Sequence, residues 1–160
     1  MSVVRMSNRL VNHWTETTEE AFGARGKSGR EGELWLAEVI KGWGWDVIDY
    51  EGDRSRQIRG HDIAIRKPEW KNFYTVDVKS NMRDDGSFYV ETGKDGWLRN
   101  PKHTNHRVWH VNTRTGWMAW YDRKDMINFL RQQGVLSDGL YLMTPAEGKR
   151  FITRRQHRGQ

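Results

Sequence analysis

The stretch Phe73–Ser80, FYTVDVKS, places an acid and a lysine two residues apart in a run of aromatic and β-branched side chains. Such a run favours a β-strand, in which successive side chains point to opposite faces. Asp77 and Lys79 therefore share one face of the predicted strand, while Val76 and Val78 share the other. One face is apolar and the other carries groups that can do chemistry.

Two further acids precede this strand. Glu33 falls one helical turn before Leu36 in a predicted amphipathic helix, on the stripe that should face the sheet. Glu31 is the alternative helix acid, although it lies off that stripe. Asp62 begins a predicted strand after a glycine-containing turn, and a hairpin to the following strand would bring it beside Asp77.

Carboxylates that converge at the edge of a sheet favour a hard divalent cation, because Mg²⁺ prefers oxygen ligands. Such a cation would lower the pKa of a bound water and stabilise negative charge on a phosphate. Lys79 beside it could orient the water or neutralise the developing charge. The set therefore predicts hydrolysis of phosphodiester bonds.

The ordered set Glu33, then Asp62 in GHD, then Asp77-Val78-Lys79 resembles the PD-(D/E)XK nuclease superfamily. Within it, the segments GREGE and GW, before and after the predicted helix, look most like archaeal-type Holliday junction resolvases. The resemblance implies a restriction-endonuclease-like α/β core, a small mixed β-sheet flanked by helices. It also implies that Glu33, Asp62, Asp77 and the Val78 carbonyl bind Mg²⁺ or Mn²⁺, that Lys79 is catalytic, and that a homodimer cuts branched DNA.

Other functions stay open beside this hypothesis. His61 stands where the resolvases usually have proline, and Asp77 stands where they usually have glutamate. A phage junction endonuclease or a restriction-like enzyme acting on duplex DNA would fit almost as well. A catalytically inactive DNA-binding module, or an assembly protein whose nine tryptophans form an oligomer interface, are alternatives from other classes.

The remaining pattern predicts the elements that position these residues. We expect a modest helix over residues 1–22, a flexible glycine-rich segment over 23–32, a helix over 31–43 that ends at Gly42 and Gly44, and a helix over 123–133 capped by Asp122. The predicted strands are 45–50, 61–66, 73–80, 87–91, 106–112 and 116–122, with edge strands at 140–143 and 150–153. The domain division is an arm at 1–28, a nuclease domain at 29–148 and a basic tail at 149–160.

The net charge of +6 favours a polyanionic partner, and the excess lies at the ends of the chain. The last 12 residues carry five lysines and arginines and no acid. The predicted DNA contacts are Arg25, Lys27, Arg30, His61, Lys102, Arg107, Arg154 and Arg155.

The sequence lacks cysteine, a signal-peptide core and any apolar run of membrane-spanning length. We expect a soluble cytoplasmic protein with no membrane partner. A phage-encoded protein that acts in a bacterial host is one form of this expectation. His103, His106 and His110 do not predict zinc, because an i, i+4 separation along a strand is too long for chelation. We expect them beside Lys102 and Arg107 on a surface that faces DNA.

Overall fold

The computed structural model describes residues 3–4, 18–137 and 139–148, with side chains described from residue 29 onward. In chain order the elements are β1 (Val3–Val4), α1 (Thr18–Gly42), β2 (Asp46–Asp49), α2 (Arg54–Ile58), β3 (Ile63–Arg66), β4 (Tyr74–Lys79), β5 (Phe88–Glu91), β6 (Arg107–Asn112), β7 (Trp117–Asp122), α3 (Arg123–Gln132) and β8 (Leu140–Met143). The strands predicted between residues 45 and 143 are confirmed, with ends displaced by one or two residues. The strand predicted at 150–153 lies outside the described residues.

The architecture is mixed α/β, built on a six-stranded sheet with the strand order β1-β7-β6-β4-β3-β2. β4 and β6 pair in parallel, and the other neighbours pair antiparallel. β5 and β8 form a separate two-stranded sheet. Among the described residues, no helix combines the length and apolar character required to cross a bilayer.

The two faces of the large sheet bury separate apolar clusters. On one face, α1 packs Leu36 and Ile40 against the inward side chains of β3, β4 and β6, including Trp109. On the other, α3 and the small sheet pack Phe129 and Phe88 against β6 and β7. β4 therefore lies between two cores, and both of its faces are covered.

The amino-terminal predictions were wrong where the structure describes this part of the chain. Val3 and Val4 extend the sheet by pairing with β7, and α1 continues through the segment 23–32 that was predicted to be flexible. Glycine is a poor helix former, but tertiary packing overrides propensity. Gly32 has a packing role, since a Cβ atom built there would lie 2.1 Å from the Ser80 Oγ. The glycine thus permits α1 to approach the end of β4 closely.

Two smaller features differ from the expectation. The loop after β2 contains the short helix α2, which Asp53 caps by accepting a hydrogen bond from the Arg56 amide at 3.1 Å. Asp122 precedes α3 as predicted, but its side chain makes no capping hydrogen bond. Instead it accepts a hydrogen bond from Arg107 Nε at 3.2 Å. A strand-to-strand ion pair has replaced the local cap.

Candidate active site

Asp62 lies immediately before β3, opposite a point at which β4 continues. Ile63 pairs with Val76, so Asp62 is adjacent to Asp77, as the predicted hairpin required. The Asp62 carboxylate accepts a hydrogen bond from the Val78 amide at 2.8 Å. The carboxylate thereby takes the position of the missing strand partner and is fixed against the backbone of β4.

Asp77 is the most deeply buried of the predicted site acids, with 4% of its surface exposed. Its Oδ1 atom lies 3.4 Å from Lys79 Nζ, whereas its Oδ2 atom is buried without a hydrogen-bond partner. A solvated strand face is therefore excluded as the explanation of this residue. A buried carboxylate oxygen without a partner is costly, and a bound ligand is one of the causes that account for such atoms.

Glu33 extends from α1 to the same point. Its carboxylate accepts a hydrogen bond from Arg30 at 3.0 Å, and its charge helps to raise the pKa of Asp62. Glu31, the alternative helix acid, is exposed. The structure therefore brings Glu33, Asp62 and Asp77 together, in the order that the sequence analysis predicted, and Glu31 is not part of the group.

The three acids perturb one another. Burial, followed by the charge of Asp77, raises the pKa of Asp62 to about 9, and the charge of Glu33 adds to the increase. Burial also raises the pKa of Glu33, although hydrogen bonding to Arg30 opposes the shift. Desolvated like charges in a small volume favour a shared proton or a cation.

Lys79 connects the buried acids to the surface. Its side chain is 27% exposed, and Nζ lies 5.1 Å from the centre of the Trp97 ring. Beneath it, His110 interacts through Nδ1 with Asn81 Oδ1 at 2.5 Å and through Nε2 with the Tyr121 hydroxyl at 2.7 Å. Burial, and then the charge of Lys79, lowers the pKa of His110. His110 is therefore neutral beside the lysine.

The donor set fits a magnesium ion in part. Among residues 29–137 and 139–148, no three histidine or acidic side chains form a complete cation-binding cluster. Mg²⁺, however, commonly binds to only one or two carboxylates and retains several waters. Asp62 and the unpartnered Asp77 Oδ2 atom supply that number. The contact that Val78 makes here is through its amide, so the predicted role of its carbonyl stays a prediction.

The predicted DNA contacts have diverse environments. His61 is buried, with Nε2 2.9 Å from Thr104 Oγ1, and its phosphate contact stays a prediction. Arg30 forms ion pairs with Glu33, Asp49 and Glu51, and Arg107 pairs with Asp122, so a phosphate bound at either cation would share it with an acid. Lys102 is exposed. The other four predicted contacts lie outside the described side chains, and these are Arg25, Lys27, Arg154 and Arg155.

The three histidines do not form the predicted surface patch. His110 is fully buried, His103 Nδ1 hydrogen-bonds to the Trp97 carbonyl oxygen at 2.8 Å, and His106 Nδ1 accepts from the Thr75 amide at 3.0 Å. The burial of His110 had no local signal, because Phe88 and Tyr121, which cover its ring, come from β5 and β7. His103 is half-buried and His106 is exposed. The expectation that these histidines do not form a zinc site stays a prediction.

Sequence reasoning missed the arginines Arg54, Arg56 and Arg59 and the buried partners of His110. The arginines were visible in the segment RSRQIR immediately before GHD, but that segment was interpreted only as a polar loop. Asn81 and Tyr121 had no local signal, since they contact His110 from other parts of the chain.

No protein-family model matches the chain, and neither a curated protein nor a solved structure is significantly similar to it. The functional argument therefore rests on the residues and their geometry.

Proposed function

We propose that this protein is a metal-dependent endonuclease that hydrolyses phosphodiester bonds in branched or otherwise structured DNA. The observation that carries the proposal is the convergence of Glu33, Asp62 and Asp77 with Lys79 around one buried carboxylate oxygen that has no partner. An ordinary structural ion pair would not require two further acids at the same point, nor their burial.

Asp62 and Asp77 are the residues that would hold Mg²⁺, with Mn²⁺ as a substitute. When bound, the ion would supply an activated water and offset negative charge on the scissile phosphate. Arg30 would hold the Glu33 carboxylate beside Asp62, and the Val78 amide already fixes the Asp62 carboxylate against β4. These contacts hold the oxygens in place before substrate arrives, which is the usual source of catalytic precision.

Lys79 would act on the phosphate itself. Its ammonium group lies beside Asp77 and is partly exposed, so it can contact a bound anion without any movement of β4. Neutral His110 beneath it adds no competing positive charge. We assign Lys79 the role of neutralising the charge that develops on the phosphate as the nucleophile attacks in line.

The test is cleavage of labelled four-way junction, flap and linear duplex DNA with Mg²⁺ and with Mn²⁺. We expect the wild type to cut, and Asp77→Asn and Lys79→Ala each to lose at least about 100-fold in rate, the loss caused by removing one charge-stabilising group. The ranking of the three substrates would identify the preferred DNA structure.

Two surface variants are the matched controls. Asp46→Asn removes an exposed strand carboxylate that pairs with Arg66, and Lys67→Ala removes an exposed lysine that pairs with Glu69. Both should cut at the wild-type rate. A wild type that binds these DNAs but cuts none of them with either ion would overturn the nuclease proposal and favour a DNA-binding module.

We also propose a homodimer, because cutting two strands symmetrically requires two sites related by a twofold axis. Sedimentation of the free protein and of its junction complex would measure the number of chains in each. A single chain per junction in the complex would contradict this part of the proposal.

A further inference from the structure

The described arginines and lysines differ in whether an acid neutralises them. Six of them form ion pairs with carboxylates, and these are Arg30, Lys41, Arg66, Lys67, Lys79 and Arg107. Within the described side chains, the three arginines of the α2 segment form no ion pair with an acid. Arg54 and Arg59 are exposed and Arg56 is half-buried. We call Arg54, Arg56 and Arg59 the arginine patch.

The patch is fixed to the same residues that position Asp62. The Arg56 guanidinium lies 4.9 Å from the centre of the Tyr50 ring, and the Tyr50 amide donates a hydrogen bond to the Asp62 carbonyl oxygen at 3.0 Å. Arg59 donates to the Ser55 carbonyl oxygen at 3.1 Å. These contacts hold the arginines close to the acids while their charges stay without acidic partners.

Two further observations place positive charge on this side of the site. Arg56 Nη1 lies 3.4 Å from Nδ1 of His61, which immediately precedes Asp62. The Thr104 amide donates to the Arg59 carbonyl oxygen at 3.0 Å, so the loop that carries exposed Lys102 packs against α2. A polyanion complements this surface, and arginine suits phosphate because its planar fork donates two parallel hydrogen bonds.

From this geometry we infer that the arginine patch contacts the sugar–phosphate backbone of DNA beside the carboxylate cluster. The inference rests on the proposed function for the identity of the polyanion. It assigns substrate positioning to the α2 segment, whose arginines form no ion pair with any described acid, in contrast to Arg30 and Arg107. Phosphate contacts of this kind determine register and orientation, and they carry no base sequence information.

The test compares two double variants that each remove two positive charges. Arg54→Gln/Arg59→Gln changes the exposed members of the patch and retains Arg56, which packs on Tyr50. Lys41→Gln/Lys67→Gln is the control, because both lysines are exposed and already paired with Glu38 and Glu69. Circular dichroism and thermal unfolding would establish that both variants fold.

Binding of a fluorescent four-way junction would be measured by anisotropy in EDTA, over a series of salt concentrations. Two lost phosphate contacts should reduce the slope of log K against log salt by about 1.8, which corresponds to roughly 30-fold weaker binding at physiological salt. The control should weaken binding by less than about 3-fold. Equal losses in both variants, or a wild-type slope in the arginine variant, would overturn the inference.

Cleavage at saturating DNA separates this inference from the proposed function. If the patch only positions DNA, the arginine variant should raise KM and retain kcat. A wild type that never cuts, together with a reduced salt slope in the arginine variant, would reject the nuclease and keep the patch as a DNA-binding surface. A wild type that cuts, together with an unchanged salt slope in the arginine variant, would support the nuclease and reject the patch as a DNA-binding surface.

Discussion

The two faces of the six-stranded sheet are both buried, yet they differ in chemistry. The face beneath α1 is filled by apolar side chains such as Leu36, Ile40 and Trp109. The opposite face buries Asp77 and His110 among apolar neighbours. Burying polar and charged groups costs free energy that an apolar core avoids. The buried ionisable side chains of β4 and β6, Asp77 and His110, lie on the face that carries the candidate active site.

Glu33 links the two faces. It belongs to α1, which covers the apolar face, yet its charge affects the pKa of Asp62, the residue immediately before β3. The close approach at Gly32 makes this possible. The comparison therefore separates a face that supplies stability from a face that supplies chemistry, with one glycine and one acid at their boundary.

The largest expected effect lies on the apolar face. Leu36→Ala should lower the free energy of unfolding by about 2–5 kcal/mol, since Leu36 is fully buried and the change leaves a cavity. Urea unfolding would measure the loss. The cleavage rate per folded molecule should stay near the wild-type value. A selective loss of catalysis without a loss of stability would break the proposed division between the two faces.

The next effect concerns the boundary. Gly32→Ala should destabilise the protein by about 1–3 kcal/mol, because the added methyl group overlaps Ser80 and presses on Val111. The cleavage rate should also fall as Glu33 is displaced. Ser80→Gly in the same chain should recover part of both losses. Gly29→Ala is the matched control, since a Cβ atom there meets nothing within 4 Å. If both glycine variants lose the same stability and activity, close packing against Ser80 is not the reason that position 32 requires glycine.

A smaller effect tests the polar face through pH. Burial lowers the pKa of His110 in the folded protein, so its contribution to stability is present above the unfolded value of about 6.5 and is lost as the pH falls below it. Between about pH 6.5 and 5, the wild type should lose up to about 1.4 kcal/mol per pH unit from this group. His110→Gln should show a shallower slope in urea unfolding. An identical slope would mean that His110 does not titrate on unfolding.

The smallest effect has the opposite sign. The pKa of Asp62 is raised to about 9, so its contribution to stability is present below the unfolded value of about 3.9 and is lost as the pH rises toward the folded value. Asp62→Asn keeps an acceptor for the Val78 amide and removes the buried charge. At pH 8 the free energy of unfolding of this variant should exceed that of the wild type by at least about 1 kcal/mol. The difference should vanish near pH 4. Cleavage should nonetheless be lost. A variant that is less stable at pH 8 would show that the charge of Asp62 is already compensated.

The sequence by itself determined the local structure around the site. Alternation of apolar and polar side chains identified β4 and its neighbours, because the period of a strand is read from adjacent residues. The helical stripe identified the direction of Glu33, and the short connection between β3 and β4 predicted that Asp62 lies beside Asp77. Each of these inferences depends on residues close together in the chain.

Only the tertiary structure decided which charges are already neutralised and which groups are buried. Arg30 and Arg107 resemble Arg54 and Arg59 in sequence, but the first two contact acids contributed by other strands. His110 is buried because Phe88 of β5 stacks on its ring and the Tyr121 hydroxyl of β7 contacts its Nε2 atom, and nothing in its neighbours on the chain indicates those contacts. Ion pairing and burial depend on long-range register, which is set by how whole faces pack against each other, and local patterns do not encode it.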